Sequence, residues 1–255
     1  MSYPDPSLLP RIREILNRDR EWCLYALGDF APAEMSHCEW RFSPIDPPAL
    51  TLFYRAFAPP VFFASGSAPA LQALLDEAPL PPNLYLHIKP EVFDLVTARY
   101  RRVTTKVMQR MILQEAALAD FTDAEIIPAT GLPELIELYS CRTAQEKAGT
   151  FFLPAQLIGG VYFGIRSNGR LVAAAGTHLI NRGESVGAVG NVFCLPAYRG
   201  KGLGTRVTSA VVNALIQEGI QTIGLNVSPE SPAAQLYRRL GFREACLYVE
   251  GTAER

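Results

Sequence analysis

Histidine is scarce: the 255 residues hold three, His37, His87 and His178, at scattered positions. That spacing builds no metal triad. The five cysteines, Cys23, Cys38, Cys141, Cys194 and Cys246, are odd in number and include no C-x-x-C pair. Neither a zinc site nor a disulfide scaffold is expected, and a reducing cytoplasm is the expected compartment. Charge of one sign is also lacking. Lys+Arg is 24 against 25 for Asp+Glu, a net charge of −1, which gives no reason to expect nucleic acid or an anionic membrane as partner. There is no run of about 18 uncharged apolar residues, so no transmembrane helix is expected. Pro4, Pro6 and Pro10 break up the first ten residues, where a signal peptide would need an apolar core.

What is present is ample core material. Hydrophobic residues make up 49% and mean hydropathy is +0.09, enough to bury a core without staples. The 20 prolines and 19 glycines imply many punctuated loops. The length allows one large domain or two small ones. The pattern favours two: an α+β half at 1–118 and a half at 122–255. In the first, helical spacing appears over 7–17 and 68–77, and strands over 50–57, 61–63, 84–88 and 104–113. The aromatic stretch from Trp40 to Phe63 reads as core or as an interface. The basic run Arg99, Arg101, Arg102, Lys106, Arg110 reads as a solvated strand face or a site for an acidic group. This half carries no motif tied to chemistry.

The second half is clearer. A strand over 124–129 and a helix over 132–141 precede three antiparallel strands at 161–166, 171–180 and 186–195. The first two are joined by Asn168-Gly169, a hairpin signal. A helix over 203–218 places Leu203, Val207, Val211 and Leu215 on one face and ends at Gly219. A strand over 222–227 follows. A second helix has Ser231 as N-cap and Pro232 at its first position, and a strand over 245–249 closes the fold.

Between the third strand and its helix lies Arg199-Gly200-Lys201-Gly202-Leu203-Gly204. Glycines let the backbone approach a ligand and take positive φ. The loop ends at a helix N-terminus, where free N–H groups favour phosphate, and Arg199 and Lys201 add charge. It fails the P-loop pattern, because Gly202 follows Lys201, and the dinucleotide pattern, because its spacing is G-x-G-x-G. A tight packing turn is the alternative.

The loop resembles the pyrophosphate-binding motif of the GNAT N-acetyltransferase superfamily, Arg/Gln-x-x-Gly-x-Gly/Ala. Val192-Phe193-Cys194-Leu195 before it and Leu236-Tyr237 through Gly241-Phe242 after it are similar to that family's central strand and helix end. The two-part layout also resembles the glycine N-acyltransferase-like branch. The resemblance implies an α+β GNAT fold, a mixed, mostly antiparallel sheet flanked by helices, behind a smaller α+β domain for which a degenerate acyltransferase-like half is one reading. It implies acetyl-CoA as acyl donor, entering where the central strand and the next splay apart. Backbone groups of Val192, Phe193 and Cys194 would meet the pantetheine arm, and the loop from Arg199 and Gly200 through Lys201, Gly202, Leu203 and Gly204 to Thr205 the pyrophosphate. Asn226 and Ser231 would also contact the cofactor. Tyr237 takes the place of the general acid for the leaving thiolate.

The family's strand glutamate is missing: Asn191 and Asn226 are amides, which orient but accept no proton near neutral pH. Asn191 and His178 are candidates on the substrate side; the base is open between a water chain, a residue of the first half and an amine that arrives deprotonated, and Glu146 and His178 are disfavoured for it against solvated or structural roles. Cys194 as nucleophile is disfavoured against a small strand residue. The expected function is N-acetyl transfer to a small-molecule or peptide amine by direct attack, in a monomer or homodimer. No metal, nucleic acid or membrane partner is expected. The alternatives are a non-catalytic acyl-CoA-binding module and a partner-binding scaffold.

Overall fold

The computed structural model describes residues 6–43, 47–144 and 152–255. The chain divides into two compact units, Met1–Arg110 with Glu244–Arg255, and Met111–Arg243. In the first, helix α1 (Leu9–Arg18) buries Ile12, Ile15 and Leu16, the apolar stripe that the spacing predicts. Strands β1 (Cys38–Ser43), β2 (Ala49–Tyr54) and β3 (Val61–Ser65) pair antiparallel in turn. Helix α3 (Ala68–Glu77) then carries the chain to β4 (Asn83–Ile88), which runs parallel to β3, as a helical crossover allows. Short helices α2 (Leu24–Gly28) and α4 (Phe93–Thr97) complete the cover. Phe53 and Phe62 are fully buried and Phe63 nearly so. The aromatics of β2 and β3 at these positions therefore supply core, while Trp40, Phe42, Tyr54 and Phe57 are half-buried.

The basic run is also not one face. On β5 (Arg102–Leu113) Lys106 pairs with Glu250 and Arg102 with Glu254, and before it Arg99 pairs with Asp76. Arg110, by contrast, is 0% exposed. Its guanidinium lies 5.2, 4.7 and 5.5 Å from the ring centres of Trp22, Tyr25 and Tyr248. It donates to the Trp22 carbonyl and sits 2.7 Å from His87 Nε2. A cation against π-faces is tolerated in the interior.

His87 stacks on Tyr248 at 4.3 Å. Burial first, and the Arg110 charge second, hold its imidazole well below 6.5. A histidine kept neutral when folded but free to protonate when unfolded gives stability that is full above about 6.5 and lost as pH falls below it. Lowering the pH from about 7.5 to about 5.5 should therefore cost stability through this one group. Denaturant unfolding read by the two tryptophans, Trp22 and Trp40, checks it. His87→Gln should flatten that part of the pH dependence.

The last strand, β11 (Phe242–Glu254), outruns the expected 245–249 at both ends. Val249–Glu254 pair antiparallel with Asn83–Ile88 of β4, which places Glu244–Arg255 with the first unit and not, as the sequence pattern suggests, with the second. Gly251, beyond the expected strand end, marks a close approach: a Cβ there would lie 2.1 Å from the Thr104 carbonyl oxygen.

In the second unit β6 (Glu125–Ile126), β7 (Tyr162–Ser167), β8 (Arg170–Asn181) and β9 (Val186–Cys194) form an antiparallel run. The expected strand over 124–129 shrinks to two residues because Pro128 cannot donate to a ladder. Asn168 and Gly169 take the positive φ values, 50° and 77°, of the hairpin turn. Helix α7 (Leu203–Gln217) crosses to β10 (Thr222–Val227), which is parallel to β9. Val207, Val211 and Leu215 are fully buried. Helices α5 (Leu132–Ser140), α6 (Pro154–Gly159) and α8 (Pro232–Arg239) join the same core. Among the described residues no helix is long and apolar enough to cross a membrane.

Candidate active site

The loop before α7 has the geometry of an anion cradle. Gly200 and Gly202 have φ of 76° and 78°, values that side-chain-bearing residues adopt only at a cost. A Cβ at either would meet nothing within 4 Å, so neither glycine serves packing. Gly202 is the N-cap, and its carbonyl accepts from Arg206 N at 3.1 Å. The N–H groups of Leu203, Gly204 and Thr205 thus open the helix without an intrahelical acceptor. Arg199 donates from Nε to the Cys194 carbonyl at 3.1 Å and lies over the Phe193 ring. Lys201 lies 5.1 Å from the Tyr198 ring centre. A Cβ on Gly204 would rest 3.6 Å from Leu236, so the third glycine lies against α8.

Strands β9 and β10 are paired only at their starts. The register runs Thr222↔Val186, Ile223↔Gly187, Gly224↔Ala188 and stops, although β9 continues to Cys194 and β10 to Val227. Beyond Ala188 the two strands part. Val192 and Cys194 are half-buried while Phe193 and Leu195 face the core. Asn226 is half-buried on the unpaired part of β10.

At the same place β9 is bulged. Its partner β8 pairs Ala174 with Phe193 and Gly176 with Gly190, so two residues, Asn191 and Val192, oppose one. Asn191 takes φ of 53°. Its carbonyl accepts from Tyr139 Oη at 2.8 Å. Its Nδ2 donates to Gln156 Oε1 at 3.0 Å and to Tyr162 Oη at 2.9 Å.

Ser231 caps α8, its Oγ accepting from Ala233 N at 3.2 Å. Tyr237, on that helix, is 8% exposed and stands edge-on to Phe242 with ring centres 6.1 Å apart. Burial pushes its phenol up to about 12, so it stays a proton donor across the neutral range.

Residues 132–242 match the model of the acetyltransferase (GNAT) family. This segment is a GNAT acetyltransferase domain. No curated protein matches the sequence. Among solved structures the chain is similar to a GCN5-related N-acetyltransferase from Kribbella flavida, with a TM-score of 0.63 at 15% identity over 91% of this chain and 94% of that one. A Drosophila protein gives 0.67 at 12% identity over 94% and 89%. A GNAT-family acetyltransferase from Colwellia psychrerythraea gives 0.55 at 15% over 94% and 97%. At such identities the likeness is one of fold.

Within the GNAT domain the sequence-derived residues fall into groups. Arg199 to Thr205 form the cradle, Val192 to Cys194 the free stretch of β9, and Ser231 and Tyr237 lie on α8. Burial raises the Cys194 thiol, which keeps it protonated and suits a strand residue better than a nucleophile. Glu146 lies outside the described residues. His178 is the extra residue of a second bulge, between Thr177↔Val189 and Leu179↔Ala188. Burial, then Arg142, lowers its imidazole to about 4, so it is neutral near pH 7.

Sequence reasoning missed Tyr139, Gln156 and Tyr162, which surround Asn191. The first lies on the helix expected over 132–141 and the last in the strand expected over 161–166. Gln156 sits on α6, whose six residues are too few for a periodic signal. The available cue was Pro154 at a helix start with glutamine two residues on.

Gly190 holds the His178 ring close: a Cβ there would lie 2.2 Å from His178 Cδ2. Gly190→Ala should therefore displace the imidazole and the bulge at a cost of about 1–3 kcal/mol. A fall in Tm, measured by calorimetry, checks this.

Proposed function

We propose that the protein is an N-acetyltransferase that moves an acetyl group from acetyl-CoA to the amine of a small molecule or peptide, with Tyr237 as general acid. One observation carries this reading: an open glycine cradle at a helix N-terminus beside two parallel strands that part. The cradle fits a pyrophosphate, since both of its left-handed glycines leave the space a Cβ would fill. The free stretch of β9 fits an amide-bearing arm that adds like a strand. When bound, the acyl-CoA supplies an activated thioester. Arg199, Lys201 and the N–H groups of Leu203, Gly204 and Thr205 would hold its diphosphate. Val192, Phe193 and Cys194 would offer backbone groups to the pantetheine, with Asn226 and Ser231 as further contacts. Tyr237 would give its proton to the sulfur as the C–S bond breaks.

No acidic side chain lies on 186–194 or 222–227, so the amine would lose its proton to water before attack. The same absence favours a second reading, an acyl-CoA-binding module without turnover. Calorimetry with acetyl-CoA, and mass spectrometry of an amine panel incubated with it, separate the two. Binding with acetylated product supports the enzyme, and binding without product supports the module. No binding removes both.

A further inference from the structure

Asn191 is 3% exposed, and its Oδ1 is buried with no hydrogen-bond partner among the described residues. Which atom of the amide is the oxygen follows from its neighbours. Leu153 N–H donates to Gln156 Oε1 at 3.0 Å, and Gln156 Nε2 donates to the His178 carbonyl at 3.3 Å. Turning the Gln156 amide over would set its NH₂ against the Leu153 N–H and its oxygen against a carbonyl. Gln156 Oε1 therefore faces Asn191 as an acceptor, and Asn191 must present its NH₂ there. Tyr162 Oη, which donates to the Thr177 carbonyl at 3.1 Å, accepts from the same NH₂. Both donors of Asn191 are thereby used, and Oδ1 is left as a free acceptor of fixed direction.

This acceptor stands at the β9 bulge, past Ala188, where β9 has parted from β10, and next to Val192. The φ of 53° at Asn191 marks a conformation that asparagine tolerates better than other side-chain-bearing residues. A buried acceptor held by a fully used set of donors points to a ligand that brings an N–H.

We propose that Asn191 Oδ1 receives an N–H of the acceptor amine and so aims the nitrogen lone pair, making Asn191 a positioning residue for primary and secondary amines. The inference rests on the acyl-transfer reading above. An amine keeps an N–H while its lone pair attacks, so the contact persists through the step. The nitrogen forms the C–N bond as the C–S bond breaks, and the sulfur takes the Tyr237 proton. The surplus proton on nitrogen passes to water, from which the phenolate is reprotonated.

The test uses the full chain, with thiol release from acetyl-CoA measured over the standard amino acids, spermidine and a tetra-alanine peptide. For the best acceptor, Asn191→Ala should raise KM at least tenfold while the Kd for acetyl-CoA changes less than twofold. Asn191→Asp keeps an acceptor oxygen and loses the donor, and should hold KM within about threefold of the parent. An unchanged KM in Asn191→Ala overturns the inference. So does an Asn191→Asp as impaired as Asn191→Ala, because that places the role in the donated hydrogen bonds. If neither variant folds, the parent protein decides. The side-chain ¹⁵N resonance of Asn191 should shift when the best acceptor is titrated into the CoA complex, and a static resonance overturns the inference. Failure to bind acetyl-CoA overturns the reading of the cradle. Binding without any acetylated amine overturns acyl transfer, and the inference with it.

Discussion

Tyr237→Phe should lower kcat about 100-fold or more, the usual size of a lost general acid, with acetyl-CoA affinity changed less than threefold. Among the described residues the hydroxyl has no hydrogen-bond partner, and burial is the single cause of its raised pKa. Phenylalanine therefore keeps the edge-on contact with Phe242 and leaves no polar atom stranded. The variant should fold with a Tm within a few degrees of the parent, so lost rate reads lost chemistry. Because the phenol is pushed up to about 12, the parent enzyme should show no alkaline fall in kcat from this group between about pH 6 and pH 10. Steady-state kinetics across pH, with calorimetry for the donor, check both statements. A variant with full kcat removes Tyr237 from the mechanism.

Gly202→Val should weaken acetyl-CoA binding about 10- to 100-fold. The position is open, with nothing within 4 Å of a Cβ, so the cost does not come from a clash. It comes from φ of 78°, which a β-branched residue adopts at about 1–2 kcal/mol. The backbone escapes that strain by rotating, and the rotation turns the N–H groups of Leu203 and Gly204 away from the diphosphate. Charge-assisted hydrogen bonds are worth about 1.5–3 kcal/mol, and about 1.4 kcal/mol is a factor of ten. Arg199→Ala should cost less, since Arg199 is exposed and its Nε is already engaged by the Cys194 carbonyl. Calorimetric Kd values rank the two variants, and the reverse order would place the anion on the side chains instead of the backbone.

The glycine loop was legible because its signals are local. Three glycines, a cation on either side of Gly200 and a helix start lie within six residues, and their backbone demands need no distant partner. The hairpin at Asn168-Gly169 and the Ser231 cap were legible for the same reason. The extent of β11 was not. The pairing with β4 joins residues more than 160 positions apart. Arg110 misled in a similar way. Strand spacing puts it among solvated cations, yet three aromatic rings and a neutral His87 enclose it.

The polar centre at the bulge shows the same division. Nothing around Asn191 in sequence announces Tyr139, Gln156 or Tyr162, because each comes from a different element. Short-range pattern sufficed for the glycine loop, the hairpin turn and the helix cap, since backbone conformation and helix capping are set by neighbours a few residues away; the fold class and the role of the tyrosine at the helix end came from the resemblance that this loop carries. Tertiary folding alone decided which amide oxygen is left free, which histidines are neutral and where the last strand belongs. Desolvation, hydrogen-bond direction and strand pairing are properties of residues brought together from far along the chain, and no local reading carries them.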